Sequence, residues 1–428
     1  MFKNLYMLGL CLSLGIATAQ AEDIKPITLS QAFKLAEQNA PELLSAKAKL
    51  QIIMGEAEEV SAFQNPEFDF EIENFGGTGA LSGTSGAEYT YAISQGIEIG
   101  GKRGAKKRSA YANLKAAQEE YEASKLALEE RVTVAYMQAV SSERDLALSK
   151  EQESLAEAVL EDVTKRVKAA RVPEIQKKKA EVAFATAQLK RQEAEREASI
   201  KRGELSRYWQ SKFLEGSLDK DAFYDVPSPE AFPLYEGQLE NSPWLSGYRH
   251  LEKASTEMLR FEKAQNIPDP TFKLGMKDIR ETGDQAFVAG ISFSVPIFNR
   301  NKGRIRQAKG EVERTKQNLA ETRLNLNQDL WQNWQLWQQG VQEVKRLKMR
   351  IIPSAEDAFR LAREGYEKGR FPYLEVLDAQ RTLFDARAQY HASLLRTHTA
   401  RARVLALTGD LSETNISEFK ENSNEHNS

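Results

Sequence analysis

One pattern of elements occurs twice along the chain, and this duplication limits the folds that the sequence can adopt. Asn39-Ala-Pro41 and Asn65-Pro66 in the first half correspond to Asn241-Ser-Pro243 and Asp269-Pro270 in the second half. In both halves these signals delimit a helical segment that is followed by two alternating apolar–polar runs, a long helix, a tight turn and a returning helix. The sequence therefore predicts one structural unit that is used twice.

The boundaries of this plan follow from local composition. The first residues combine Lys3, an apolar run and the small-x-small pattern Ala19-Gln20-Ala21, which is typical of a secretory signal peptide. A proline-rich stretch separates the two halves, and the last residues are polar. We predict a signal peptide at 1–21, a first repeat at 22–216, a linker at 217–233, a second repeat at 234–411 and a disordered tail at 412–428.

Composition excludes several classes of protein. Charged residues make up 28% of the 428 residues and the mean hydropathy is −0.55, which excludes a polytopic helical membrane protein. A net charge of −3 without an uncompensated basic stripe predicts no nucleic-acid partner. Cys11, the only cysteine, lies in the predicted signal peptide. We therefore expect a mature chain without disulfides or thiolate metal ligands.

The longest predicted helices follow the alternating runs. From Lys102 to about Lys168 the chain has no proline and is rich in Ala, Glu, Lys and Leu, which gives roughly 67 residues or about 100 Å of helix. The corresponding helix of the second half runs from Arg304 to Gly369, and Pro353 should kink or restart it. Apolar residues recur every seven positions in both helices, as coiled-coil-like packing requires.

Four alternating runs predict strands of about ten to twelve residues, close to the length of a tilted strand that crosses an outer membrane. Unpaired strand edges cannot face lipid, and four strands are too few to close a membrane barrel. The chain must therefore share a barrel with copies of itself, two copies giving eight strands and three giving twelve. The alternative is a soluble helical protein with two exposed hairpins. The predicted lipid-facing residues are Phe68, Phe70, Ile72, Tyr89, Tyr91, Ile93, Phe272, Leu274, Met276, Phe287, Ile291 and Phe293.

A tight reversal between two helices occurs in each half. The reversal at Gly365–Gln380 contains Gly369-Arg-Phe-Pro372, and its counterpart contains Ala170-Arg-Val-Pro173. Both sequences keep an Arg-x-Pro core. The same turn at the same place in both halves predicts an architecture with a defined tip.

The duplicated plan and the tip motifs resemble the TolC-like outer-membrane factors over essentially the whole mature chain. Gln95-Gly-Ile-Glu-Ile-Gly-Gly-Lys-Arg-Gly104 and Ser294-Val-Pro-Ile-Phe-Asn-Arg-Asn-Lys-Gly303 are similar to the cobalt–zinc–cadmium (CzcC-type) branch. The resemblance implies a mainly α fold with a small β part. Duplicated long-helix hairpins would form a trimeric α-barrel, and four membrane β-strands per protomer would contribute to a shared 12-stranded β-barrel.

The resemblance also implies a function and partners. It implies a homotrimer in outer-membrane lipid of a Gram-negative cell, with a long periplasmic extension. This trimer would dock onto a periplasmic adaptor (membrane-fusion protein) and an inner-membrane pump of the resistance–nodulation–division (RND) type, and would export heavy-metal cations.

Specific roles at the tips are implied in the same way. The family's pore gate corresponds here to Tyr366, Glu375 and Asp378, and the two carboxylates lie three residues apart on one helix face. An ordinary solvated acidic face is the alternative. Phe371 stands where the family has its gate arginine, so the tethering partner is not identified. The implied adaptor-docking residues are Ala170, Arg171, Val172, Pro173, Gly369, Arg370, Phe371 and Pro372.

Other functions stay open at this stage. The same conduit could serve drugs or secreted proteins, and a periplasmic coiled-coil scaffold or adaptor is a third possibility. The sequence has no Gly-x-Ser-x-Gly elbow and no Walker loop, which predicts a protein that is not an enzyme and needs no cofactor. His391 and His398 are about 10.5 Å apart along one helix, too far to ligate one ion. With His250 and His426 we interpret them as packing or surface side chains, and we predict no metal site.

Overall fold

A computed structural model describes residues 26–214 and 216–410, so the predicted signal peptide, Cys11, His426 and the predicted tail lie outside the described residues. The helices are α1 (Leu29–Asn39), α2 (Pro41–Ser61), α3 (Lys102–Lys168), α4 (Glu174–Ser206), α5 (Asp221–Tyr224), α6 (Phe232–Glu240), α7 (Pro243–Ala264), α8 (Lys302–Arg346), α9 (Ile352–Glu367) and α10 (Tyr373–Thr408). The strands are β1 (Glu67–Glu73), β2 (Glu88–Gly96), β3 (Thr271–Ile279) and β4 (Asp284–Ser292). The fold is mostly helical with one small sheet.

Prolines set several helix boundaries. Pro41 begins α2 and Pro243 begins α7, because proline at the first helical position loses no hydrogen bond. Between α8 and α9 the chain makes a π-helical turn at Leu347–Ile351, just before Pro353. Pro353 has no N–H to donate to the preceding turn, so the kink or restart predicted there is confirmed.

The four strands form one antiparallel sheet in the order β1-β2-β3-β4. The strands have seven to nine residues, so the predicted length of about ten to twelve is wrong. Phe293 lies just beyond β4, which corrects its placement in a strand of the single chain. The last pair of the register is Thr271 with Ser292. The residue before Thr271 is Pro270, which has no N–H with which to extend the ladder of hydrogen bonds.

The helices form two layers along the long axis. Next to the sheet, α2, α3, α7 and α8 pack side by side in that order. Farther from the sheet, the second layer consists of α4, α3, α10 and α9, which pack side by side in that order. Because α3 takes part in both layers and has 67 residues, it alone spans about 100 Å. Within residues 26–214 and 216–410, no helix is both long and apolar enough to cross a bilayer.

The segment predicted as a linker is packed against the middle of the molecule. It contains the short helix α5, whose Phe223 is buried. The Tyr136 hydroxyl oxygen lies 2.8 Å from the carbonyl oxygens of both Ile27 and Asp219, and its single proton is shared between these two acceptors. These contacts attach Ile27, just before α1, and the inter-repeat segment to α3.

Candidate functional site

The two hairpin tips have the same backbone structure. Tip 1 is residues 166–176, between α3 and α4, and tip 2 is residues 365–375, between α9 and α10. The matching bonds, from amide N to carbonyl O, are Ala170–Val167 and Gly369–Tyr366 (2.9 Å each), Arg171–Arg166 and Arg370–Gly365 (2.9 and 2.7 Å), and Gln176–Pro173 and Glu375–Pro372 (3.0 and 3.1 Å). The Arg-x-Pro resemblance in the sequence therefore reflects one turn that is used twice.

The turns need a residue with positive φ at the same place. Gly369 has φ of +70° and its counterpart Ala170 has φ of +56°. A non-glycine residue in this region carries a cost of roughly 1 kcal/mol or more. In tip 2 the ring of Phe371 lies directly over Gly365, where any side chain would overlap it.

A small core joins the two tips. Its buried side chains come from both hairpins: Val163, Ala180, Ala362, Tyr373 and Val376. Val172, one of the predicted docking residues, packs against this core and is half-buried. The other predicted docking residues of both tips are exposed. The tips are therefore packed together through this core and carry an exposed rim.

Tyr366 lies at the contact between the two hairpins. Its ring centroid is 5.6 Å from that of Tyr373, and the guanidinium carbon of Arg166 lies 4.7 Å from it. Arg166 also donates to the Asp162 carboxylate at 2.8 Å. Burial raises the pKa of the Tyr366 phenol and also that of Tyr373, so both stay neutral. Within the described residues the Tyr366 hydroxyl has no hydrogen-bond partner.

Arg166 is the residue that sequence reasoning missed. The resemblance implied an arginine at the position that Phe371 occupies, in the same tip as Tyr366. The arginine that contacts Tyr366 comes instead from α3 of the other repeat. Its place four residues after Asp162, at the end of a predicted helix, was the available signal.

The predicted gate carboxylates lie just past the second turn. Glu375 and Asp378 are in the first turns of α10 and both are exposed. Neither makes an ion pair with another residue in the part of the chain that the structure describes. The corresponding positions of tip 1 carry Gln176 and Lys179, so these two positions are acidic only in tip 2, whereas the acidic residue of tip 1 is Glu174.

The sheet has one continuous apolar face. The register places Phe68 opposite Ile93, and Ile93 in turn opposite Leu274. The predicted lipid-facing residues within the strands share this face, and Phe293 lies just beyond it; all are exposed except the half-buried Tyr89. The opposite face is charged: Lys277 contacts both Glu73 and Glu88 at 2.6 Å. One apolar and one polar face are what a strand between lipid and a water-filled lumen needs.

The histidines do not converge. His398 is buried in α10 and its Nε2 lies 3.0 Å from the Phe223 carbonyl oxygen, and this burial lowers its pKa to about 4. His391 instead lies 2.8 Å from the Asp145 carboxylate. Among the described residues, no group of three or more His, Cys, Asp or Glu side chains could hold a metal ion.

Comparisons with known proteins agree with this geometry. The chain is 28% identical to the cobalt-zinc-cadmium resistance protein CzcC of Cupriavidus metallidurans, over 90% of each chain. It is 25% identical to the nickel-cobalt-cadmium resistance protein NccC of Alcaligenes xylosoxydans xylosoxydans, over 74% of this chain and 71% of that protein.

Two solved structures share the fold. The CusC structure superimposes with a TM-score of 0.76 at 16% identity, covering 89% of this chain and 91% of CusC. The Campylobacter jejuni outer membrane channel CmeC superimposes with a TM-score of 0.73 at 15% identity, covering 98% of each chain. The outer membrane efflux protein family matches residues 32–209 and 234–410, one match in each half of the duplicated chain. The chain therefore belongs to the outer membrane efflux protein family.

Proposed function

We propose that this chain is the outer-membrane exit duct of a tripartite system that exports heavy-metal cations from a Gram-negative cell. The observation that carries the cargo is its likeness, over 90% of both chains, to a protein named for cobalt, zinc and cadmium resistance. A second relative is named for resistance to nickel, cobalt and cadmium. Family membership supports the duct, and these two names support metals as its cargo.

Three copies form the duct in this proposal. Within residues 26–214 and 216–410, β1 and β4 are the edge strands of the sheet. Each unpaired backbone group in lipid costs several kcal/mol, so further copies must complete the sheet. Three copies supply twelve strands, which lies within the range of known membrane barrels. The apolar face then contacts lipid and the charged face lines the lumen.

A periplasmic adaptor docks onto the tips, and an inner-membrane RND pump supplies the energy. The tips lie at the far end of α3 from the strands, about 100 Å away along its 67 residues. Arg171 and Arg370 give both tips an exposed cation beside a tight turn. This pattern fits end-to-end docking onto another protein.

Glu375 and Asp378 form the cation-attracting part of the gate in tip 2. In a trimer they would bring up to six carboxylates around one axis, and rings of carboxylates favour cations over anions in pores. Tyr366 and Arg166 support this end by fixing one hairpin against the other. Selectivity among metals then resides in the pump rather than in the duct.

Deleting the gene tests the cargo. We expect the deletion strain to become more sensitive to zinc, cadmium, cobalt and nickel salts, with unchanged sensitivity to cationic dyes, and expression of the wild-type chain should restore tolerance. Unchanged metal tolerance with increased dye sensitivity would assign the duct to drugs instead. Recovery of the protein from the soluble periplasm without detergent would contradict the duct itself.

A further inference from the structure

Among the described residues, the sheet and the first helix layer each end in two edges that no further strand or helix of the same layer covers. In the sheet these edges are β1 and β4, and in the layer next to it they are α2 and α8. The edge helices expose apolar side chains: Ile52 of α2 is 63% exposed and Leu324 of α8 is 71% exposed. The same pair of edges is therefore open at two levels of the molecule, as expected if a second copy covers them.

We propose that β4 of one copy pairs with β1 of the next copy in the register that the chain uses to join its own two repeats. The chain's own joint is the antiparallel pairing of β2 with β3, the last strand of repeat 1 with the first strand of repeat 2. The proposal rests on the assembly of copies proposed above and adds the residue-level pairing.

The two hairpins provide the correspondence. Phe70 pairs with Tyr91 in the first hairpin, and Leu274 pairs with Ala289 in the second. Matching Asn65-Pro66 with Asp269-Pro270 makes each position of β1 correspond to the position 204 residues later in β3. Each position of β2 corresponds to the position 198 residues later in β4.

Transferring the β2–β3 register then defines the joint between copies. Ile93 lies opposite Leu274 in the internal joint, so Ile291 lies opposite the partner's Phe70. By the same rule Ser292 lies opposite the partner's Asp69. Phe293 lies opposite the partner's Phe68, which gives it the strand partner that it lacks in the single chain. The apolar faces of the two copies coincide, whereas a shift by one residue would invert one of them.

A glycine supports this register. In the internal joint Gly275 lies opposite Ala92, and a β-carbon on Gly275 would lie only 2.5 Å from the Tyr91 carbonyl oxygen. The corresponding pair between copies is Gly290 with the partner's Glu71. Both joints thus have one glycine in this pair of positions, on β3 in the internal joint and on β4 in the joint between copies. A shift by two residues would place the partner's Glu71 opposite Val288 or Ser292 and remove the glycine from this pair.

A buried lysine marks the base of the internal joint. Lys102, the first residue of α3, is 3% exposed and its Nζ lies 2.6 Å from the Asp269 carboxylate. Lys302 is the first residue of α8 and is exposed in the single chain. As the first residue of its helix Lys302 matches Lys102, and Asp269 corresponds to Asn65, so we expect Lys302 near the partner's Asn65. Both helices begin after a left-handed residue, Gly101 or Asn301, so the two lysines leave the backbone in the same way.

Disulfide cross-linking tests the register, because the mature chain is predicted to lack cysteine. Directly opposed strand residues lie about 4.5–5.5 Å apart, within disulfide range, and diagonal neighbours lie about 7–8 Å apart. We expect Ser292→Cys with Asp69→Cys to give covalent dimers and trimers on non-reducing gels after mild oxidation of outer-membrane fractions. The matched controls Ser292→Cys with Glu67→Cys or Glu71→Cys should cross-link at least about fivefold less.

The outcomes separate the register from the duct. Strong cross-linking of a control pair in an intact oligomer would overturn the register and leave the proposed duct standing. A monomer in detergent with no cross-link in any pair would overturn both. If the Ser292 variants do not reach the membrane, Ile291→Cys with Phe70→Cys tests the same register on the lipid face, with Ile291→Cys and Ile72→Cys as its control.

Discussion

Tip 1 and tip 2 have matching backbone hydrogen bonds but opposite charge in the helix that follows. In α4, Lys177, Lys178 and Lys179 outnumber Glu174 and Glu181, the latter paired with Lys177 and Lys178. The corresponding part of α10 carries Glu375 and Asp378. The duplicated backbone is fixed by the turn, since its hydrogen bonds tolerate few alternatives. Exposed side chains carry no such constraint and have diverged. The difference indicates that the two tips do different work at the same end of the molecule.

Equivalent positions inside the tips have also diverged. Arg166 of tip 1 corresponds to Gly365 of tip 2. Arg166 reaches across to the ring of Tyr366, while Gly365 makes room for the ring of Phe371. The first tip therefore supplies the arginine of the contact, and the second supplies the tyrosine and the carboxylates.

Between the sheet and the tips, the buried His398 makes a pH-dependent contribution to stability with which the effects of changes at the tips can be compared. Because its pKa is lowered to about 4, the buried His398 stays neutral in the folded protein until the pH falls to that value. In the unfolded chain the same histidine is protonated below its ordinary pKa of 6.5. The contribution of His398 to the free energy of unfolding is therefore fully present above pH 6.5. It is lost as the pH falls toward 4, by up to roughly 3 kcal/mol. Melting of the solubilised protein should show this slope, and His398→Asn should flatten it. An unchanged slope in that variant would contradict the assignment.

Gly365→Ala should have the largest effect at the tips. Its methyl group would overlap the Phe371 ring, and overpacking of this kind costs about 1–3 kcal/mol. Thermal melting measures the loss. Gly310→Ala is the matched control, because that helical glycine has open space around it, and it should stabilise by about 0.5–1 kcal/mol. In a Phe371→Ala background the cost of Gly365→Ala should disappear, and a persistent cost would contradict the ring contact.

Arg166→Ala should cost about 1 kcal/mol, since it removes a cation–π contact and a partly exposed ion pair. Tip 1 would then no longer contact the Tyr366 ring through Arg166. We expect this loss to appear as faster amide hydrogen exchange at residues 362–368. The exposed Arg171→Ala should stay within about 0.5 kcal/mol of the wild type. Equal effects of the two substitutions would remove the distinction between these arginines.

The smallest effects concern the shared turn itself. Ala170→Gly should stabilise tip 1 by about 0.5–1 kcal/mol, because glycine accepts the positive φ without strain. Gly369→Ala should destabilise tip 2 by about 1 kcal/mol. The added β-carbon would have no neighbouring atom within 4 Å, so the cost comes only from the positive φ angle. Opposite signs are the required result. Two changes of the same sign would show that the turns are not equivalent.

Sequence reasoning predicted the elements better than the contacts between them. The bounds of α3 were predicted correctly because an unbroken proline-free run admits only a helix. Strand lengths were overestimated, since alternation continues to Phe293 while the hydrogen-bond ladder stops at Pro270. Arg166 was missed because its contact with Tyr366 joins residues of different repeats. Such contacts depend on packing, which a local pattern does not record.

Reversal potentials in planar bilayers test the central claim, that the acidic tip 2 is the cation-selective aperture of a duct. Under a salt gradient the wild-type channel should prefer cations. Glu375→Gln with Asp378→Asn should lower the cation-to-anion permeability ratio by roughly threefold or more. Lys179→Gln, the matched change in tip 1, should leave the ratio unchanged or raise it. Wild-type cation preference in the Glu375→Gln, Asp378→Asn channel would contradict this account.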